Sequence, residues 1–213
     1  MPVYRFDDFR LARCAIIAGC LVALTGCSGQ SNASKGAAEG ATTGAIAGAV
    51  GGMVGALVFG GNIAEAGARG AVIGGSSGAV VGGMSGSKRD QAEAAQRADT
   101  QVEQRQKLRE QIGDDAFDGV VALAKCKHNV AIANAQVAMK SKKNDYVLAG
   151  LWVEILSYAD QRNEAQARTL FPEVIERDRK IKTEAQAEEA MRNSLQKLMD
   201  IRVTYDLPRV CPV

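Results

Sequence analysis

Aromatic residues and histidine are scarce in this chain, and neither sign of charge is in surplus. Aromatic residues make up 5% of the 213 positions, which is low for a protein with one large core. Lys and Arg total 26 against 24 Asp and Glu, and this near-balance excludes strong electrostatic capture of nucleic acid. The only histidine, His128, follows Cys126 by two residues, but no second ligand pair completes a tetrahedral metal site. We therefore predict no metal, and a packing role for His128.

Catalytic motifs are missing as well. The chain has no P-loop and no H-E-x-x-H, and no nucleophile elbow or dinucleotide-binding glycine motif lies in the strand context that such sites need. Carboxylates in the second half alternate with Lys and Arg, as on solvated helix faces. The sequence thus predicts a protein that is not an enzyme and carries no cofactor.

Residues 1–26 are typical of a bacterial secretion signal. Basic residues precede the apolar stretch 15–24, which is too short to span a bilayer core of ~30 Å. The segment ends in Leu24-Thr25-Gly26-Cys27, which resembles a bacterial lipobox; that resemblance implies cleavage before Cys27 and acylation of its thiol. Ser28 at the next position favours the outer membrane, by resemblance to enterobacterial lipoproteins. An ordinary secretory peptide with a chance cysteine is the alternative.

Glycine is concentrated in one segment and spaced regularly there. Between Gly36 and Gly86 lie 17 of the 23 glycines, and two runs repeat every fourth residue: Gly36, Gly40, Gly44, Gly48 and Gly52, then Gly70, Gly74, Gly78, Gly82 and Gly86. On a helix this spacing makes a slowly winding groove that lets two backbones approach closely. In water each such glycine costs about 1 kcal/mol relative to Ala.

The two runs also lack charge, which favours a membrane. Residues 40–64 and 70–87 are uncharged and would be ~37 Å and ~27 Å long as helices. Glu65 and Arg69 lie between them in a polar turn. The pattern predicts a transmembrane helical hairpin over residues 40–87, after a lipidated Cys27 and a tether that extends to residue 39. A flexible Gly-rich linker is the alternative.

Together, the lipobox and residues 36–86 resemble the glycine-zipper lipoproteins of the bacterial outer membrane, the SlyB-like group. The resemblance implies a zipper hairpin of two helices. It stops after residue 86, because SlyB-like proteins flank the zipper with a small β-rich module, whereas this chain continues with charged helical sequence.

Residues 88–213 predict a charged α-helical bundle in the periplasm, so the whole chain is expected to be all-α. A first helix ends at Gly113. A helix over 116–140 has two apolar faces, one formed by Leu123, Cys126, Val130, Ala133 and Val137, and we expect it to be central. A third helix covers about 146–161. Thr183 and Gln186 form a capping box for the last helix.

Five cysteines reduce to one candidate pair. Cys14 and Cys20 leave with the signal and Cys27 is acylated, so Cys126 and Cys211 remain. In an oxidising periplasm such a pair predicts a disulfide, with two separate buried thiols as the alternative.

Taken together, these patterns predict a structural lipoprotein of the outer membrane whose helical domain lies in the periplasm. Its partners would be membrane lipid and either further copies of itself or other outer-membrane proteins, with no nucleic acid. One alternative is a binding module that recruits a periplasmic or secretion-machinery protein. Another is a membrane-permeabilising zipper toxin.

Overall fold

The computed structural model describes residues 32–63, 65–67, 69–70, 103 and 105–212. These residues form helices and turns with no strand among them, so the predicted all-α class is confirmed for this part of the chain. Residues 105–112 are helical, and the other principal helices are α1 (Asn32–Phe59), α2 (Asp114–Ala124), α3 (His128–Ala138), α4 (Asn144–Asp160), α5 (Glu164–Arg168), α6 (Phe171–Arg177) and α7 (Glu184–Thr204).

Contacts divide the chain into residues 1–36 and 37–213. Of the first unit only the beginning of α1 is described. The predicted signal and Cys27, together with residues 71–87 of the second glycine run, lie outside the described residues.

Helix α4 is the centre of the second unit. Its bounds agree with the predicted third helix, and almost every side chain from Val147 to Asp160 is buried. Helices α2, α3, α5, α6 and α7 all contact it. Glycines allow α3 to approach closely, because a Cβ at Gly150 would lie 2.7 Å from the Ala135 carbonyl oxygen and one at Gly119 would lie 3.2 Å from that of Ala131.

The apolar side of α1 belongs to the same core. Its large side chains are buried together with Phe117, Trp152 and Ile201 of the later helices; the α1 members are Ile46, Val50, Met53, Val54 and Leu57. The apolar half of the predicted zipper helix is therefore covered by protein. Within the described part of the chain, no helix meets the length and hydropathy that a membrane crossing requires.

The predicted single helix over 116–140 is wrong. Helix α2 ends at Ala124, and α3 starts at His128 after a turn in which Cys126 has the left-handed backbone angle φ 58°. The second apolar face is buried only at its start, since Leu123 is fully buried whereas Val130 and Val137 are about half exposed, at 51% and 47%. The turn lets α3 fold back on α2, and only its Ala131, Ala135 and Ala138 side is buried.

The predicted helix end at Gly113 is confirmed, and the capping box at Thr183 is confirmed in part. Gly113 has φ 89° and separates helical residues 105–112 from α2. The hydroxyl of Thr183 accepts a hydrogen bond from the Gln186 backbone N–H at 3.2 Å, and the Gln186 side chain accepts one from the Lys182 N–H at 2.7 Å. The capping residue thus has its predicted role, but the return bond of the box goes to Lys182 rather than to Thr183.

Candidate functional site

A buried ion pair joins the ends of α4 and α7. Arg202 has no exposed side-chain surface, and it donates to both carboxylate oxygens of Asp160, at 2.8 Å from Nη1 and 2.6 Å from Nη2. This fork geometry suits an arginine paired with a carboxylate, and burial keeps water from competing for either partner. Arg202 therefore positions Asp160 rigidly.

Arg202 also binds the carboxyl end of α2. Its Nε donates to the carbonyl of Ala124 at 3.1 Å and its Nη2 to that of Leu123 at 2.7 Å. Carbonyls in the last turn of a helix carry partial negative charge, so a guanidinium there is favourable. One buried side chain thus connects the ends of α2, α4 and α7.

His128 is the third member of this cluster. Its Nε2 lies 2.7 Å from Asp160 Oδ2, and its side chain is mostly buried. Burial raises the pKa of the Asp160 carboxyl, but hydrogen bonds from Arg202 and His128 outweigh it and hold that pKa below its ordinary value. Asp160 is therefore an anionic acceptor, and His128 carries a proton on Nε2.

The Cys126–Cys211 disulfide lies beside this cluster. The structure joins the two residues that remained from the cysteine count, with a Cα–Cα distance of 5.5 Å. Cys126 is in the turn before His128, and Cys211 is in the irregular tail after α7. Cys211 Sγ is also 3.3 Å from Asp160 Oδ2.

A cleft of about 420 Å³ opens over the disulfide and the histidine. The residues that line it include Cys126, Lys127, His128, Asp160, Gln161 and Cys211. Titratable and sulfur-bearing groups therefore converge where small solutes can enter. Among the described residues, His128, Asp160 and Cys211 offer ligand atoms that all lie within 4.8 Å of one another. The prediction of a packing role for His128 overlooked these partners.

Three of the described zipper glycines, Gly48, Gly52 and Gly70, come together at one helix crossing. A Cβ on Gly70 would collide with the backbone carbonyl of Gly48, and one on Gly52 would lie 2.5 Å from the carbonyl oxygen of Ala66. These are backbone contacts, which cannot be relieved by a side-chain rotation. Three glycines of the predicted groove therefore serve close helix packing inside the second unit.

Three other glycines of the predicted zipper precede Gly48 and Gly52 on the same helix. Gly36, Gly40 and Gly44 lie along α1. The lipidation residue Cys27 and the glycines Gly74, Gly78, Gly82 and Gly86 lie outside the described residues.

Two residues of this cluster, Asp160 and Arg202, were not among the site residues predicted from the sequence. Arg202 was a detectable exception: it follows Leu198 by four residues and so continues the buried stripe of α7, where a charge needs a partner. Nothing local identified that partner, since Asp160 lies 42 residues earlier in the chain.

Comparisons with known proteins add no relative: no family model, no curated protein and no solved structure matches this chain.

Proposed function

We propose that this protein is a lipid-anchored structural component of the bacterial outer membrane, held there by acylated Cys27, with its helical domain in the periplasm. The anchoring part of this proposal rests on the lipobox-like sequence that ends at Cys27. The disulfide between Cys126 and Cys211 supports an oxidising location such as the periplasm.

In this proposal the two glycine runs have different tasks. The first run lies on α1, whose apolar residues are buried in the core of the domain. We therefore assign to the first run a role in packing within the domain. The second run has the same spacing and begins at Gly70. Gly70 itself packs against α1. We assign assembly to the four later glycines, Gly74, Gly78, Gly82 and Gly86, through contact with a further copy or with another membrane protein. The close backbone crossing of Gly48, Gly52 and Gly70 is the observation that supports this assignment, because glycines of both runs there let two helix backbones approach closely.

Substitution in the second run tests the assembly. Gly78→Leu places a large side chain in the groove, and we expect loss of the oligomers that crosslinking captures in native membranes. Ala79→Leu, one position away in the same run, is the matched control and should leave them intact. Equal crosslinking in both variants would contradict the proposal.

A second candidate function is supported by α3. Val130, Ala133 and Val137 recur at helical spacing and are all exposed, forming an apolar stripe on the outside of the domain. Such a stripe fits the binding-module alternative, in which the domain recruits a periplasmic protein. A Val130→Ser/Val137→Ser variant should then lose a partner captured by crosslinking while its urea midpoint stays unchanged. If every crosslinked species persists in this variant, α3 is not the binding surface.

A further inference from the structure

Three potential ligands for a metal ion, His128, Asp160 and Cys211, converge in the cleft, and a fourth, Cys126, is bonded to Cys211. Asp160 Oδ2 lies 2.7 Å from His128 Nε2 and 3.3 Å from Cys211 Sγ, and Cys126 Sγ is bonded to Cys211. In a tetrahedral zinc site with bonds of about 2.0–2.3 Å, neighbouring ligand atoms lie roughly 3.3–3.8 Å apart. The Asp160–Cys211 separation is already in that range. The hydrogen bond between Asp160 and His128 has to lengthen from 2.7 Å, and the two sulfurs can separate only when their bond is reduced.

The disulfide decides whether these groups can act as ligands. Sulfur binds zinc as thiolate, and neither sulfur is a thiolate while the bond is intact. We propose that reduction of the Cys126–Cys211 disulfide converts the cleft into a Zn²⁺ site formed by Cys126, Cys211, His128 and Asp160. This site goes beyond the proposed structural function and does not depend on it.

The chemical step is balanced by a dithiol reductant. The reductant gives two electrons and two protons to the protein sulfurs and becomes a cyclic disulfide. Zn²⁺ then displaces both thiol protons to solvent as the two Zn–S bonds form. His128 binds through the Nε2 lone pair, and its ring proton moves to Nδ1.

Charge balance favours the bound ion. Two thiolates and the Asp160 carboxylate carry −3, Zn²⁺ brings the total to −1, and the buried guanidinium of Arg202 compensates the remainder. Arg202 can keep its bond to Asp160 Oδ1 and its bonds to the Leu123 and Ala124 carbonyls while Oδ2 turns to the metal. It would thus be a positioning residue that orients a ligand, as outer partners of zinc sites do.

Metal binding to the purified full-length protein tests the site. After anaerobic reduction, Co²⁺ should produce a thiolate-to-cobalt absorption band that one equivalent of Zn²⁺ removes. The oxidised protein should show no band. Cys126→Ser keeps every other cysteine of the chain, and it should lose the band.

Two further variants separate this site from a simple dithiol. His128→Gln should weaken Zn²⁺ binding tenfold or more in competition with a chromophoric chelator, whereas Lys127→Gln in the same turn should not change it. Equal affinity of His128→Gln and the unmodified protein overturns the proposal, as does a reduced protein without the cobalt band. Circular dichroism is recorded in parallel, and a reduced chain that loses its helices and does not regain them with Zn²⁺ also overturns it.

Discussion

Arg202 shows how much one side chain can determine at the scale of single residues. It is fully buried, and its partners are an anion on α4 and two carbonyl oxygens at the end of α2. Truncating it would leave Asp160 buried without its cation, and a lone buried charge costs far more than a surface ion pair contributes.

Arg202→Met should therefore lower the free energy of unfolding by about 3–5 kcal/mol, measured by urea denaturation. Arg192→Met is the control on the same helix, since Arg192 pairs with Glu188 at the surface; its effect should stay within about 0.5 kcal/mol. If both substitutions cost the same, Arg202 does not hold the cluster together.

At the scale of helices, α1 illustrates two uses of glycine in one element. Gly52 faces a backbone carbonyl at a distance where no Cβ fits, whereas a Cβ on Gly55 would meet only Leu108 at an ordinary 3.7 Å. Both positions are helical and have the same intrinsic preference for Ala over Gly. Any difference between them therefore measures the crossing itself.

Gly55→Ala should raise the free energy of unfolding by up to about 1 kcal/mol, because Ala is the better helix former. Gly52→Ala should lower it, because the Ala66 carbonyl has to move and its helix with it. Thermal unfolding of the two variants beside the parent protein measures the contrast. Stabilisation by Gly52→Ala would mean that the crossing is looser than the structure has it.

On the scale of the whole molecule, the disulfide ties the tail to the turn between α2 and α3. The bond spans 85 residues of sequence. Closing so long a loop removes conformational freedom from the unfolded chain, which is the main stabilising effect in the chain-entropy account.

The Cys126→Ser/Cys211→Ser double variant should lose about 2–5 kcal/mol of unfolding free energy. Reduction of the unmodified protein in the absence of metal should have a similar effect, and reductant should leave the double variant unchanged. These unfolding curves check the bond independently of zinc binding. A parent protein insensitive to reductant would contradict it.

Anchoring is the second property of the whole chain that can be tested. Cys27→Ser should leave an uncleaved precursor that incorporates no palmitate analogue, because processing and acylation both need that thiol. Metabolic labelling and membrane fractionation measure this, with Ser28→Ala as a control that retains the acylated cysteine. A Cys27→Ser protein that still labels would rule out the lipobox.

By itself, the sequence determined the features that depend on residues a few positions apart, and it also identified the cysteine pair by excluding the other three cysteines. The helical class and the bounds of α4 follow from local pattern, as do the ends at Gly113 and Thr183, because caps and periodicity act within a few residues. The cysteine pair followed from counting. Such signals need no knowledge of what lies across the core.

Only the tertiary structure decided the rest. An apolar helix face looks the same whether lipid or protein covers it, so sequence alone did not place α1 in the core. The helix breaks at Cys126 although the helical sequence pattern continues through it, and Cys126 there forms a disulfide with Cys211, 85 residues away. The cluster of His128, Asp160 and Arg202 likewise joins three helices whose contacts are not encoded by spacing, because the distances that matter there are spatial rather than sequential.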